Sequence, residues 1–332
     1  MRILEPGLLT TVQDLGRYGY GKDGVCPSGA LDEYALRAAN LLVGNPEPAA
    51  GLEITLEGPR IEFKDDALIA ICGADLDARI ADIELPSWRA IYVQEGSVLA
   101  FGRARWGCRA YLAVAGGVDV PEVMASRSTY LRTGIGGFQG RSLRTDDVLP
   151  RGPVPAGTLH AMSEAAENMG PLPFALTQRR LEAPEQLYRY ETIRFVRGPQ
   201  WNMMDGRDAA VFVTNRFTVS SKSDRMGYRL SGPSLQSVKG ADQVSTAVLT
   251  GTVQVPPDGK PIVLLHDRQT AGGYPMVAQV ITADLPTVAQ LKPSDEIGFE
   301  EVSIDDAQKA LTERSILLDG LRESEKRASS RP

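Results

Sequence analysis

The sequence predicts a mainly β protein with a few helices, arranged as two domains in tandem. Three observations carry this. Glycine and proline number 33 and 22 among 332 residues, above their usual shares of about 7% and 5%. They punctuate short apolar runs of the length that strands adopt. Several of those runs alternate apolar and polar residues, the period of a half-buried strand.

In the first half, Leu52, Ile54 and Leu56 alternate with Glu53, Thr55 and Glu57, and Ile61-Glu62-Phe63 resumes the pattern after Gly58-Pro59. Ala67 to Cys72 is continuously apolar, as in a strand buried on both faces. Ala90 to Val93, Ser97 to Phe101 and Arg109 to Ala115 are further strands. One helix interrupts them. Leu31, Tyr34, Ala35, Ala38, Leu41 and Leu42 recur at helical spacing, with Ser28 as the expected cap and Gly44 just past the end. Prolines then crowd residues 150–184, which reads as a connection. The boundaries expected are 1–155 for the first domain, 156–190 for the connection and 191–332 for the second domain.

The second half repeats the β character at Thr192 to Val196, Ala210 to Thr214, Thr246 to Thr250, Pro261 to His266 and Met276 to Ile281. Pro256-Pro257-Asp258-Gly259 between apolar runs predicts a hairpin, since proline presets φ and glycine accepts positive φ. A terminal helix opens at Ser303, with Asp306 completing a weak capping box. Its expected stripe is Ala307, Ala310, Leu311, Leu317, Leu318 and Leu321, and the polar end from Glu323 is expected to fray.

The formal net charge of −6 argues against nucleic acid as a partner, because phosphate neutralisation needs a basic face. No apolar run approaches the roughly 20 residues of a membrane span, and no leader-like segment opens the chain. The expectation is a soluble, cytoplasmic protein with three reduced, buried cysteines at Cys26, Cys72 and Cys108. No metal site is expected, with two histidines and no Cys-x-x-Cys spacing. Gly19 to Gly24 matches G-x-G-x-x-G, but Val25-Cys26-Pro27 follows where a dinucleotide site needs a helix N-terminus, so a loop is the better reading. No Walker A loop is present.

Four polar clusters remain. In the densest, an apolar strand runs out into Asp267-Arg268-Gln269-Thr270 and then Gly272-Gly273-Tyr274. Polar groups at a strand exit can be aimed by the rigid sheet behind them. Arg225, in Ser223 to Leu230, offers a planar fork for a carboxylate or phosphate, or an ion pair with Asp224. Gln13, Asp14 and Arg17 place an amide, a carboxylate and a guanidinium within five residues, as a ligand site or as a capped turn. Gly134 to Arg141 is a glycine-rich loop carrying Gln139 and Arg141.

TTVQDLGR (Thr10 to Arg17), SGALD (Ser28 to Asp32), ANLLVGN (Ala39 to Asn45), LEITLEGP (Leu52 to Pro59), YLAVAGGVDVP (Tyr111 to Pro121), GIGGFQGR (Gly134 to Arg141), SDRMGYRL (Ser223 to Leu230), GTVQVPPDGKPIVLL (Gly251 to Leu265) and DRQTAGGYP (Asp267 to Pro275) run in this order. With them the chain resembles the family of the 5-oxoprolinase C subunit, also called Kip antikinase subunit or allophanate hydrolase subunit 2, and the C-terminal half of the urea amidolyase carboxyltransferase domain. Asp146-Asp147 and Pro293-Ser294-Asp295 stand where that family often has Gly-Asp and Pro-Gly-Asp.

The resemblance implies two cyclophilin-like β-barrel domains and a B-subunit partner of the Kip inhibitor or allophanate hydrolase subunit 1 type, with a LamB/YcsF-type A subunit assisting. It implies ATP, with magnesium on the partner, used to activate 5-oxoproline for cleavage to glutamate. Carboxyl transfer from carboxybiotin to urea or a related amide is the alternative, and a non-catalytic antikinase-type binding protein is another. On either chemistry, Arg225, Gln269 and the Gly272-Gly273 turn suit donation to a growing oxyanion, Asp267 suits a base or magnesium ligand, and Tyr274 suits ring stacking or donation. Thr270, Gln13, Asp14, Arg17, Gln139 and Arg141 complete the expected binding set. The Arg225 and Asp267–Tyr274 segments are expected to converge at the mouth of a barrel.

Overall fold

A computed structural model describes residues 1–182, 188, 191–238 and 244–323. The chain divides into two compact units, one of Met1–Arg17, Ser28–Ala183 and Leu317–Pro332, the other of Tyr18–Pro27 and Pro184–Ile316. These are not the tandem blocks expected: ten residues near the start cluster with the second unit, and the C-terminal segment with the first.

The first unit contains β1 (Arg2–Glu5), β2 (Leu9–Gln13), α1 (Glu33–Leu42), β3 (Gly51–Thr55), β4 (Arg60–Glu62), β5 (Ala67–Asp75), β6 (Arg79–Ile80), β7 (Ile83–Glu84), β8 (Arg89–Val93), β9 (Val98–Ala100), β10 (Trp106–Val114), α2 (Ala156–Glu167) and β11 (Phe174–Arg180). Among the described residues these strands form two open sheets, ordered β1-β4-β9-β6-β7 and β11-β8-β5-β10-β3-β2, where a closed barrel was expected. The chain leaves β3 for the other sheet through Leu56, at φ 60, and Gly58, which lies against the Phe101 ring. That bend carries β4 away from the β3 ladder. Ile3, Leu52, Ile54, Ile69, Leu99 and Leu112 are buried in one core.

The cap of α1 is Asp32, whose carboxylate accepts from the Ala35 N–H at 2.9 Å. Ser28, the expected cap, sits at φ 52 and is fully buried four residues too early. Residues 156–182 do not connect domains. They form α2 and β11, and β11 extends the larger sheet through Phe174↔Val93 and Leu176↔Ile91. The prolines mark element ends instead: Pro155 precedes the first turn of α2 and Pro173 precedes β11, positions that need no backbone donor. The rest of the expected connection, except Tyr188, lies outside the described residues.

The second unit contains β12 (Thr192–Arg197), α3 (Gly206–Thr214), β13 (Phe217–Val219), β14 (Gly227–Ser231), β15 (Thr246–Ala247), β16 (Thr252–Gln254), β17 (Ile262–Leu264), β18 (Ala271–Gly272), β19 (Met276–Val280), α4 (Leu285–Ala289), β20 (Glu296–Glu301) and α5 (Ile304–Ile316). Seven strands close a barrel in the order β12-β19-β16-β17-β14-β13-β20, with β20 returning parallel to β12. Phe212 of α3 stacks on Phe299 at 4.4 Å between ring centroids and meets Phe195 edge-on at 5.3 Å. The run Ala210 to Thr214 is therefore helix, not strand. Asp205 caps it by accepting from the Asp208 N–H at 2.8 Å, and so short an apolar run has no period of its own to tell the two apart.

The β16–β17 hairpin forms as expected, with Val253 opposite Val263 and Gly259 at φ 74. Helix α5 opens at Ser303, whose hydroxyl accepts from the Asp306 N–H at 3.1 Å, but ends at Ile316. Of the expected stripe, Ala310, Leu318 and Leu321 are buried, while Leu311 and Leu317 are exposed. The end from 324 onward lies outside the described residues. No helix among the described residues is long and apolar enough to cross a membrane.

Candidate functional site

Strands β14 and β17 pair with Gly227 opposite Leu264, and the ladder continues past both strand ends. Leu265 N–H donates to the Met226 carbonyl at 2.9 Å and Asp267 N–H to the Arg225 carbonyl at 3.0 Å. This register sets the two side chains against each other. Arg225 Nε donates to Asp267 Oδ2 at 3.0 Å and Nη2 to Oδ1 at 3.2 Å, with the side chains 5% and 6% exposed. The next residue, Arg268, donates to the Val248 carbonyl at 3.1 Å and to the Thr250 hydroxyl at 3.0 Å, and burial lowers its pKa.

Past this charged pair the segment turns to amides. Gln254, on β16 and buried, donates from Nε2 to the Tyr274 carbonyl at 3.2 Å. Its Oε1 accepts from Gln269 Nε2 at 3.4 Å. Gly272 belongs to β18, which pairs with β15. A Cβ built there would lie 2.6 Å from Gln254 Nε2 and 3.3 Å from Gln269 Nε2, so a larger residue would push on both carboxamides. Gln269 and Thr270 are half-buried, and Tyr274 is 41% exposed. Among the described residues, neither the Gln269 Oε1 nor the hydroxyls of Thr270 and Tyr274 have a hydrogen-bond partner. Two separate contacts thus hold expected residues of this segment: the Arg225–Asp267 pair, and Gln254, which links Gln269 to the Tyr274 backbone.

The expected residues of the first unit form two groups. Asp14 is 8% exposed and fully engaged: Oδ1 accepts from Gly16 N–H at 2.7 Å and from the hydroxyls of Ser126, at 2.8 Å, and Ser128, while Oδ2 accepts from Arg127 N–H at 2.6 Å. Gln13 donates to the Thr129 carbonyl and accepts from Gly29 N–H. Arg17, 1% exposed, donates to the Ser128 carbonyl. Together they staple the Ser126–Thr129 segment to the end of β2. In the second group, Arg141 holds Asp147 with two bonds of 2.7 and 2.8 Å and donates to Gln139 at 2.9 Å. The Arg141 guanidinium holds the Asp147 carboxyl below the usual range. Gln139, with Gly136, Gly137 and Phe138, lines a cavity of about 350 Å³.

Two features escape a reading of the sequence. Gln254 is the last residue of the three-residue strand β16, with no local signal that its side chain points at the Gln269–Tyr274 segment. Alternation puts Glu53 on the solvent face of β3, yet it is 2% exposed. It accepts from the Tyr111 hydroxyl at 2.7 Å and from Leu31 N–H at 2.9 Å, and burial raises the Tyr111 pKa well above its ordinary value. The three cysteines are buried, and burial pushes the Cys72 thiol well up, which disfavours the thiolate a nucleophile needs.

The two arginines of this segment are not free to make a triphosphate site. Arg225 is committed to Asp267 and Arg268 to a carbonyl and a hydroxyl. Among the described residues no group of three or more His, Cys, Asp or Glu side chains could hold a metal ion. What they offer is neutral hydrogen bonding beside a buried ion pair.

The fold is a mainly β protein with one closed barrel and open sheets, and the Gln254–Gln269 carboxamide pair lies where a strand leaves that barrel. The chain belongs to the family described as carboxyltransferase domain, subdomain A and B, whose model matches residues 23–301. It is a homologue of the 5-oxoprolinase C subunit. It is 40% identical to that protein of Escherichia coli K12 over 311 residues, covering 93% of this chain and 94% of the relative. It is 35% identical to that of Haemophilus influenzae over 320 residues, covering 96% and 97%. Among solved structures, the K. lactis urea amidolyase superposes with a TM-score of 0.82 at 31% identity, over 96% of this chain and 20% of that one.

Proposed function

We propose that this chain is the C subunit of a 5-oxoprolinase and contributes the surface that holds the lactam. One observation carries the reading: the half-buried Gln269 carboxamide, whose carbonyl oxygen accepts nothing among the described residues. A lactam is an amide locked cis, with N–H and C=O on one edge. A primary carboxamide offers the matching acceptor and donor. Near-full-length similarity to two C-subunit proteins of 5-oxoprolinase supports the same reading.

In this reading Gln269 pairs with the lactam edge, and the Thr270 and Tyr274 hydroxyls stand beside the carbonyl oxygen, where charge grows as the amide is activated. The Arg225–Asp267 pair acts as a rigid base under the segment, in place of the separate donor and base roles that residue type alone suggested. Gln13, Asp14 and Arg17 shape the first unit's fold, and Gln139, held by Arg141, lines its cavity. ATP and magnesium are assigned to the rest of the complex. The partner is a B subunit of the Kip inhibitor type, with an A subunit assisting, in the cytoplasm. The closed barrel is assigned to the cyclophilin-like class.

The test is co-expression with the B and A subunits, followed by purification and assay of ATP hydrolysis and glutamate formation. Turnover with 5-oxoproline, independent of biotin, is expected. Turnover with urea only in the presence of carboxybiotin would assign the chain to carboxyl transfer, the chemistry of its urea amidolyase likeness.

A further inference from the structure

Gln254 lies beneath the proposed lactam edge and touches it only through another side chain. Its donor end meets a backbone carbonyl, that of Tyr274, at 3.2 Å. A carbonyl only accepts, so the Gln254 NH₂ must face Tyr274 and the Gln254 oxygen must face Gln269. That oxygen in turn takes a hydrogen from the Gln269 NH₂, at 3.4 Å. The direction of the whole chain is therefore set by one immovable acceptor. Gln269 is left with its oxygen and its second N–H to present, in a fixed order. Without that chain a half-buried carboxamide is free to rotate by half a turn and exchange the two groups. Gly272 keeps the space open, since a methyl there would press on both carboxamides.

We propose that Gln254 is a positioning residue that fixes which way round Gln269 meets its ligand, and so makes the site selective for an edge with N–H and C=O in one order. The inference rests on the lactam reading above. It specifies a discrimination that reading does not contain: a lactone, which has no N–H, should be refused, because it would leave the Gln269 oxygen without a donor.

The assembled complex is assayed with 5-oxoproline and with the corresponding lactone acid as a competitor, in wild type, Gln254→Leu, Gln269→Leu and the double variant. In Gln254→Leu, KM for 5-oxoproline should rise by about tenfold, the effect of one lost hydrogen bond, with kcat changing less. The lactone should compete better than it does in wild type. The double variant should be no worse than Gln269→Leu alone. Penalties that multiply, or an unchanged KM in a folded Gln254→Leu, overturn the proposal. A second measurement needs no substrate. The side-chain NH₂ signals of Gln254, identified by their loss in Gln254→Leu, should shift in Gln269→Leu and in Gly272→Ala of the full chain. Signals that stay put in both variants rule out the relay. A wild-type complex that ignores 5-oxoproline sinks the lactam reading instead, and the NH₂ signals then decide the relay alone.

Discussion

Arg225 and Asp267 are 42 residues apart and meet in a two-bond ion pair, because backbone pairing continues past the ends of β14 and β17 as far as these two residues. Each is buried, so neither charge has water to fall back on. Removing one partner leaves the other uncompensated. Asp267→Asn or Arg225→Met should each cost roughly 3–5 kcal/mol of stability in denaturant unfolding, and the double replacement less than their sum. Additive losses would show that the two side chains do not act as a pair.

Asp14 accepts four hydrogen bonds, three of them from Ser126, Arg127 and Ser128. Asp14→Ala should destabilise the chain by roughly 3 kcal/mol, given charge-assisted bonds of about 1.5–3 kcal/mol each and partial relaxation. Limited proteolysis should report new cleavage near Arg127. Unaltered resistance there would mean that the staple is dispensable.

Asp147 has its folded pKa lowered by the Arg141 guanidinium. A carboxyl lowered on folding contributes stability that is present above its unfolded pKa and lost as pH falls through the folded value. Arg141→Gln should therefore lower Tm at pH 7, and the gap from wild type should close as the pH is taken below about 4. A gap that is constant with pH would place the effect elsewhere.

Ser294 and Asp146 adopt φ of 77° and 69°, the left-handed region that favours glycine. A side chain there costs about 1–2 kcal/mol per residue. Ser294→Gly should stabilise the chain by up to about 1 kcal/mol, since glycine's larger unfolded-state entropy offsets part of the gain. Asp146→Gly should gain less, because it also gives up the pairing with Arg2 at 2.6 Å. Denaturant midpoints of the two variants test the ranking.

How far the sequence can be read depends on the range of the forces involved. The β character, helix α1, the Pro256–Gly259 hairpin and the Ser303 cap are local, and alternation or turn chemistry announces each one. Ala210 to Thr214 misleads because five residues have no period, and what decides them is Phe212 filling the barrel beside Phe299. Residues 156–182 mislead because their prolines resemble linker chemistry when they mark where elements begin. In the candidate site, the strand-exit cluster at Asp267 is visible as a density of polar residues. The engagement of Arg225 with it depends on strand register, and that of Gln254 on a side-chain direction. Neither leaves a trace in spacing. Gln13, Asp14 and Arg17 have the right residue types for a ligand, and what they bind is the chain's own backbone and hydroxyls.

The way the second unit's barrel closes bears on how the chain is made. Strand β12 is the first of the seven to leave the ribosome, yet its ladder partners are the last two, β19 and β20. Until residue 301 has emerged, the nascent protein carries a strand with an edge still bare, the kind of edge that recruits foreign strands. Closure then requires contacts across about a hundred residues, the slow class of folding event. Expression at reduced temperature, which slows encounters between such half-made chains, should raise the soluble yield of the full-length protein. A chain ending before Glu296, which never supplies β20, should stay insoluble at either temperature.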